Sequence, residues 1–181
     1  MRRSRIGEYA RQRRPESGFS MIEMAVATAV LLFGVVMLAE LVPASLQLNM
    51  SNRFDSTSVV IAQRELDQMI DQPITATQFN DADGRVILLG NAATPNVVVG
   101  GPVVMVGNSA RVNFTPAAVA NYNFNFVDPN DPVRPTYEVR WAVITQVQTG
   151  TIVSKRFLVG VYNRNNTALL PSITVEAWVQ K

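Results

Sequence analysis

One carboxylate, Glu23, stands just inside a stretch that is apolar from Phe19 to Leu48, and it follows the junction Ser17-Gly18-Phe19-Ser20-Met21-Ile22. A charged side chain in such a setting costs about 2.5–3.5 kcal/mol at the centre of a bilayer. It calls for a positive partner. Few other residues could do chemistry. There is no cysteine, so no thiol nucleophile, disulfide or Cys-based metal site. There is no histidine, which removes most zinc sites and the commonest general base. No Gly-rich phosphate loop, nucleophile elbow or Ser/His/Asp set is present, so no enzymatic activity and no cofactor are expected.

The elements around Glu23 are unevenly charged. Residues 1–18 carry six arginines (2, 3, 5, 11, 13, 14) against Glu8 and Glu16, net +4. The remainder has ten basic and twelve acidic side chains, net −2, so the pI of 9.3 belongs to the leader. A basic patch confined to one segment gives no ground to expect nucleic acid as a partner. Phe19 to Leu48 as one helix measures about 45 Å, more than the roughly 30 Å of a hydrocarbon core. The arginines place its N-terminal side in the cytoplasm and the rest of the chain outside. Three readings fit. One is a secretory signal peptide, with Val42-Pro43-Ala44 ahead of a cut before Ser45. One is a plain signal anchor, with Glu23 a tolerated interfacial charge. The third rests on the junction itself.

Gly18-Phe19-Ser20-Met21-Ile22-Glu23 resembles the cleavage and methylation motif of type IV prepilins and pseudopilins. That motif has a glycine, an apolar first mature residue, glutamate as the fifth mature residue and then an apolar helix. The resemblance covers roughly residues 14–50 and implies a cut between Gly18 and Phe19 by a membrane prepilin peptidase, which then methylates the new α-amine of Phe19. Gly18 suits the cut, because a residue without Cβ can lie extended in a protease cleft. The resemblance also implies that Glu23 pairs with the N-terminal ammonium of a neighbouring subunit. Its implied partners are the peptidase/methyltransferase, other pilin or pseudopilin subunits, an inner-membrane assembly platform and the membrane itself. Glu40, near the outer end of the stretch, has no assigned role; Gly34 and Pro43 are weak points in helix continuity.

From Ser51 the pattern becomes amphipathic. Phe54, Ser58, Ile61, Ala62, Glu65, Leu66, Met69 and Ile70 recur at three- and four-residue steps. Leu66, Met69 and Ile70 are expected against a sheet; Arg53, Arg64, Asp67 and Asp71 are expected to face water or other subunits. Pro73 is expected to stop the helix. Asp81-Ala82-Asp83-Gly84 reads as a plain turn rather than a metal loop, since the downstream glutamate of an EF-hand is missing. Apolar runs at 86–89, 97–99, 103–106 and 112–114 read as strands, as does the alternation Tyr122–Phe126. The best hairpin sets Tyr137, Val139, Trp141, Val143, Thr145 and Val147 on one face, turns at Gln148-Thr149-Gly150 and returns through Val153, Phe157, Val159 and Val161. Trp141 and Phe157 are expected in the core, and Ile173–Val179 is a last strand.

The expected fold is therefore α+β and pilin-like: a long N-terminal helix on a small antiparallel sheet. Its parts are a leader (1–18), a transmembrane or filament-core helix (19–48), an amphipathic helix (49–73) and a β-rich outer domain (74–181). The missing disulfide sets it apart from many major pilins. Gln63-Arg64-Glu65-Leu66 with Pro73, and the Trp141 hairpin, resemble minor pilins and type II secretion pseudopilins. The different class of protein compatible with these residues is a signal-anchored or secreted β-sheet binding module that does not polymerise.

Overall fold

The computed structural model describes residues 18–165 and 172–180. The expected leader, apart from Gly18, and part of the loop from Asn163 lie outside them. The chain is α+β: among the described residues one long helix, α1 (Met21–Ile70), is followed by nine strands. Contacts divide the chain between Leu46 and Gln47, inside α1.

In the first unit the helix holds no buried residue; every side chain from Gly18 to Met50 is exposed. Ala, Leu, Met and Val dominate its sequence, so propensity favours a helix while hydropathy disfavours leaving it in water. α1 runs through Gly34 and Pro43 without a break. Pro43 withholds one backbone donor, yet the turns on either side continue.

In the second unit α1 buries Phe54, Ser58, Ile61, Ala62, Glu65, Leu66 and Met69. Ile70 departs from the expected stripe and is exposed. At roughly 100° per residue it lies about 110° from the centre of that stripe. The helix also ends at Ile70 rather than at Pro73. Asp71 N–H still reaches Asp67 O at 3.1 Å, and Gln72 N–H tightens to Met69 O at 3.4 Å. A residue before proline is pushed out of the α region, so the last turn closes ahead of Pro73.

Strands β1 (Gln78–Asn80) and β2 (Val86–Leu88) form a small hairpin. Strands β4 (Val103–Val106) and β5 (Ser109–Val112) form another. The main sheet joins β3 (Val98–Gly100), β7 (Thr136–Gln148), β8 (Thr151–Asn163) and β9 (Ile173–Gln180) in that order, all antiparallel. Strand β6 (Asn123–Val127) shares the outer edge of β7 with β3: it pairs with Thr136–Arg140, and β3 with Ala142–Ile144. Thr149 and Gly150 take φ of 49° and 77° in a two-residue connection, as a type I′ hairpin turn requires.

The helix stripe packs on Tyr137, Val139, Trp141, Val143, Phe157, Val159 and Val161, with Ile87 and Leu89 closing the side. Trp141 and Phe157 are both in this core. The other face of β7 is buried as well. Val112, Ala142 and Leu158 form a second small cluster there, with Phe114 and Ile144 against it. Gly160 makes that crossing possible: a Cβ at this position would lie 2.6 Å from Val112 Cβ. On the same face Arg140 Nε donates to Glu138 Oε1 at 2.9 Å, and Arg140 Nη1 to Pro116 O at 2.8 Å. A buried ion pair thus ties the 113–116 loop to the sheet.

Candidate cleavage and assembly site

The three residues singled out by the sequence, Gly18, Phe19 and Glu23, lie within the first turn of α1 and just ahead of it. Ser20 sets the local geometry. Its Oγ accepts the N–H of Glu23 at 3.2 Å, and its own N–H donates to Glu23 Oε2 at 3.2 Å. This reciprocal pair is a capping box, which satisfies donors that the first turn would otherwise leave free. The carboxylate also sits at the positive end of the helix dipole. Ser20 was not singled out by the reasoning from sequence, although Ser-x-x-Glu ahead of an apolar run is the signal that finds such a cap.

Gly18 and Phe19 are free of packing constraints. A Cβ on Gly18 would meet nothing within 4 Å. Among the described residues nothing crowds this position. Phe19 is 83% exposed. Glu23, also exposed, points its carboxylate back over the turn in which a new N-terminus at Phe19 would lie. Glu40 is exposed on the same helix. By length and composition, α1 is apolar enough to cross a membrane.

A second polar cluster joins α1 to the β1–β2 hairpin. Asp81 Oδ1 accepts the N–H groups of Asp83 (3.0 Å) and Arg85 (2.7 Å), and Gly84 turns at φ 79°. Arg85 Nε holds Asp81 Oδ2 at 2.6 Å. The carboxylates of the Asp-Ala-Asp-Gly turn thus face arginines. Among the described residues no group of three or more His, Cys, Asp or Glu is placed to hold a metal ion. Arg64, expected to face water, is half-exposed and instead pairs with Glu65 at 2.7 Å. Glu65 is fully buried, and its Oε2 has no partner.

Burial holds the Glu65 carboxyl above its usual range of about 4.5, although Arg64 and Arg85 pull the other way. The sign of its pH effect follows from linkage. A carboxyl raised in the folded state contributes stability that is fully present below the unfolded value and is lost as pH rises through the folded one. Glu65→Gln removes that loss. Urea unfolding between about pH 4 and pH 7 is expected to show the variant gaining on the parent as pH rises. Parallel curves for the two proteins would mean that Glu65 keeps an ordinary value.

Where the chain enters and leaves the β1–β2 hairpin, buried Lys155 donates from Nζ to Ala76 O at 2.5 Å and to Gly90 O at 3.5 Å. Burial lowers its pKa from the ordinary lysine value. With Trp141 Nε1 donating to Leu88 O at 2.8 Å, it fastens both flanks of the β1–β2 hairpin. These side chains hold the fold together, and none lies in the first unit with Gly18, Phe19 and Glu23.

Comparison of the chain with protein-family models, with curated proteins and with solved structures finds no match.

Proposed function

We propose that this chain is a structural subunit of a type IV pilus or type II secretion pseudopilus, with a pilin-like fold. In this reading it is cut after Gly18, N-methylated on Phe19 and assembled through α1. Glu23 then pairs with the N-terminal ammonium of a neighbouring subunit. The observation that carries the reading is the head of α1. A carboxylate is held at the first turn of a helix whose residues 24–50 are all exposed, five residues after a glycine that no described neighbour crowds. A bare apolar helix needs lipid or other helices around it; the membrane offers the first and a filament core the second. Partners in this reading are a prepilin peptidase/methyltransferase, other pilin or pseudopilin subunits, and an inner-membrane assembly platform. The precursor sits in the inner membrane with its N-terminus cytoplasmic, as its arginine-rich leader favours.

The capping box favours a second reading. Ser20 already satisfies Glu23 within its own chain, so a signal-anchored or secreted β-sheet module that never polymerises would also keep this glutamate.

Mass spectrometry of the mature N-terminus, from cells with an active prepilin peptidase, tests the proposal. The expected species begins at N-methylated Phe19. A chain beginning at Ser45 would make it an ordinary exported protein. An intact Met1 terminus in those cells would make it a signal anchor.

A further inference from the structure

We propose that the free edge of β9 pairs with the same edge of a second copy of this chain, antiparallel and centred on Ala177. Among the described residues no strand pairs with the outer edge of β9. Its other edge bonds β8 in unbroken register from Ser154↔Gln180 to Val161↔Ile173. Exposed edges are normally guarded by short length, proline, lysine or a bulge. Strand β9 has eight residues, no proline, no lysine and a continuous ladder, and its one charge, Glu176, is paired with Arg156. It is also the one long strand of the main sheet with no buried residue. Val175, Ala177 and Val179 reach the core from one side only.

The register follows from charge and length. An antiparallel pair of identical strands matches residues symmetric about one central position. Centring on Glu176 sets two like charges opposite each other, which is destabilising. Centring on Trp178 overlaps only the end of the strand. Centring on Ala177 uses nearly all of β9. It places Val175 opposite Val179 on the core face, with the small alanines meeting at the axis. On the outer face it places Glu176 opposite Trp178 of the second copy.

That outer face is complementary to itself. Arg156 Nη2 donates to Glu176 Oε2, and its guanidinium lies 4.9 Å from the Trp178 ring centroid. Its Nε is buried without a partner. In the pair each half-exposed indole is bracketed by its own Arg156 and the other copy's Glu176. The contact differs from the helix-borne assembly proposed above and does not depend on it.

The chain has no cysteine, so one introduced thiol gives an unambiguous signal. Opposed residues of an antiparallel pair have Cβ atoms about 4.5–5.5 Å apart, close enough for a disulfide after slight adjustment. The full, uncleaved chain in detergent carries either Ala177→Cys or, on an exposed loop, Asn130→Cys. Under a mild oxidant Ala177→Cys is expected to form a disulfide dimer at least about tenfold faster, through the effective concentration of pre-paired thiols. Adding Val179→Lys to Ala177→Cys should remove that advantage while the far-UV spectrum stays unchanged. Equal rates for the two single-cysteine variants, or an advantage that survives the lysine, would overturn the proposal. No filament is needed, so failure here leaves the assembly reading untouched.

Discussion

Glu23→Ala is expected to leave cleavage and the outer domain intact but to cut incorporation into filaments by two orders of magnitude or more. A buried ion pair stripped of one partner costs about 3–5 kcal/mol, because the other charge stays desolvated and alone. At about 1.4 kcal/mol per decade, that is a loss of roughly a hundredfold or greater. The capping box complicates a single-variant test, since Glu23→Ala also releases the Ser20 N–H. Ser20→Ala separates the two effects. It deletes the hydroxyl that caps Glu23 N–H but keeps the carboxylate, at about 0.5–2 kcal/mol of helix stability. Sheared filaments probed by immunoblot should hold near-normal Ser20→Ala and almost no Glu23→Ala. Equal defects would assign Glu23 to the cap alone. Normal incorporation of Glu23→Ala would sink the pairing mechanism and favour the anchored module.

Trp141→Ala should be the most damaging single change in the outer domain, at about 3–5 kcal/mol for a large-to-small core substitution. Trp141 is 1% exposed. Its ring lies 5.7 Å from Tyr122 and 6.1 Å from Phe124 between centroids. Its indole N–H serves Leu88 O, so the β1–β2 hairpin loses a fastening together with the packing. Domains hold only about 5–15 kcal/mol in total, so the variant should be partly unfolded or nearly so at ambient temperature. Urea titration followed by far-UV circular dichroism reads the loss directly. Trp141→Phe should recover part of it, since a ring remains while the donor is gone. A loss below about 1 kcal/mol would contradict a fully buried position for this ring.

The elements legible in the sequence are those whose signals are local. The β7–β8 hairpin declared itself through the alternation of Tyr137, Val139, Trp141 and Val143 and through the Thr149-Gly150 turn. The helix stripe declared itself through three- and four-residue steps at Phe54, Ser58, Ile61 and Glu65. What stayed hidden depends on partners far along the chain. Burial on the second face of β7 needs the β4–β5 hairpin over Ala142 and the 113–116 loop over Arg140, and both come from another part of the chain. Alternation puts Lys155 on the core face with Phe157, but the carbonyls that hold it there, Ala76 and Gly90, come from 79 and 65 residues away. Arg64 was expected in water for a similar reason: its neighbour Glu65 is buried and draws it inward. At the head of α1 the resemblance drew attention to Glu23 as an intermolecular partner. The cap written in Ser20, three residues earlier, went unread.

The chain contains two lysines, Lys155 and the terminal Lys181. Lys155 is the site a lysine-specific endoprotease would meet in the middle of the longest hairpin, with its side chain sealed under the β1–β2 flanks. Trimming of the exposed helix or the surface loops leaves that site untouched. At protease levels where cleavage outpaces reclosing, its rate of hydrolysis registers opening of the sheet itself, which makes Lys155 a built-in reporter of native-state lifetime that needs no label.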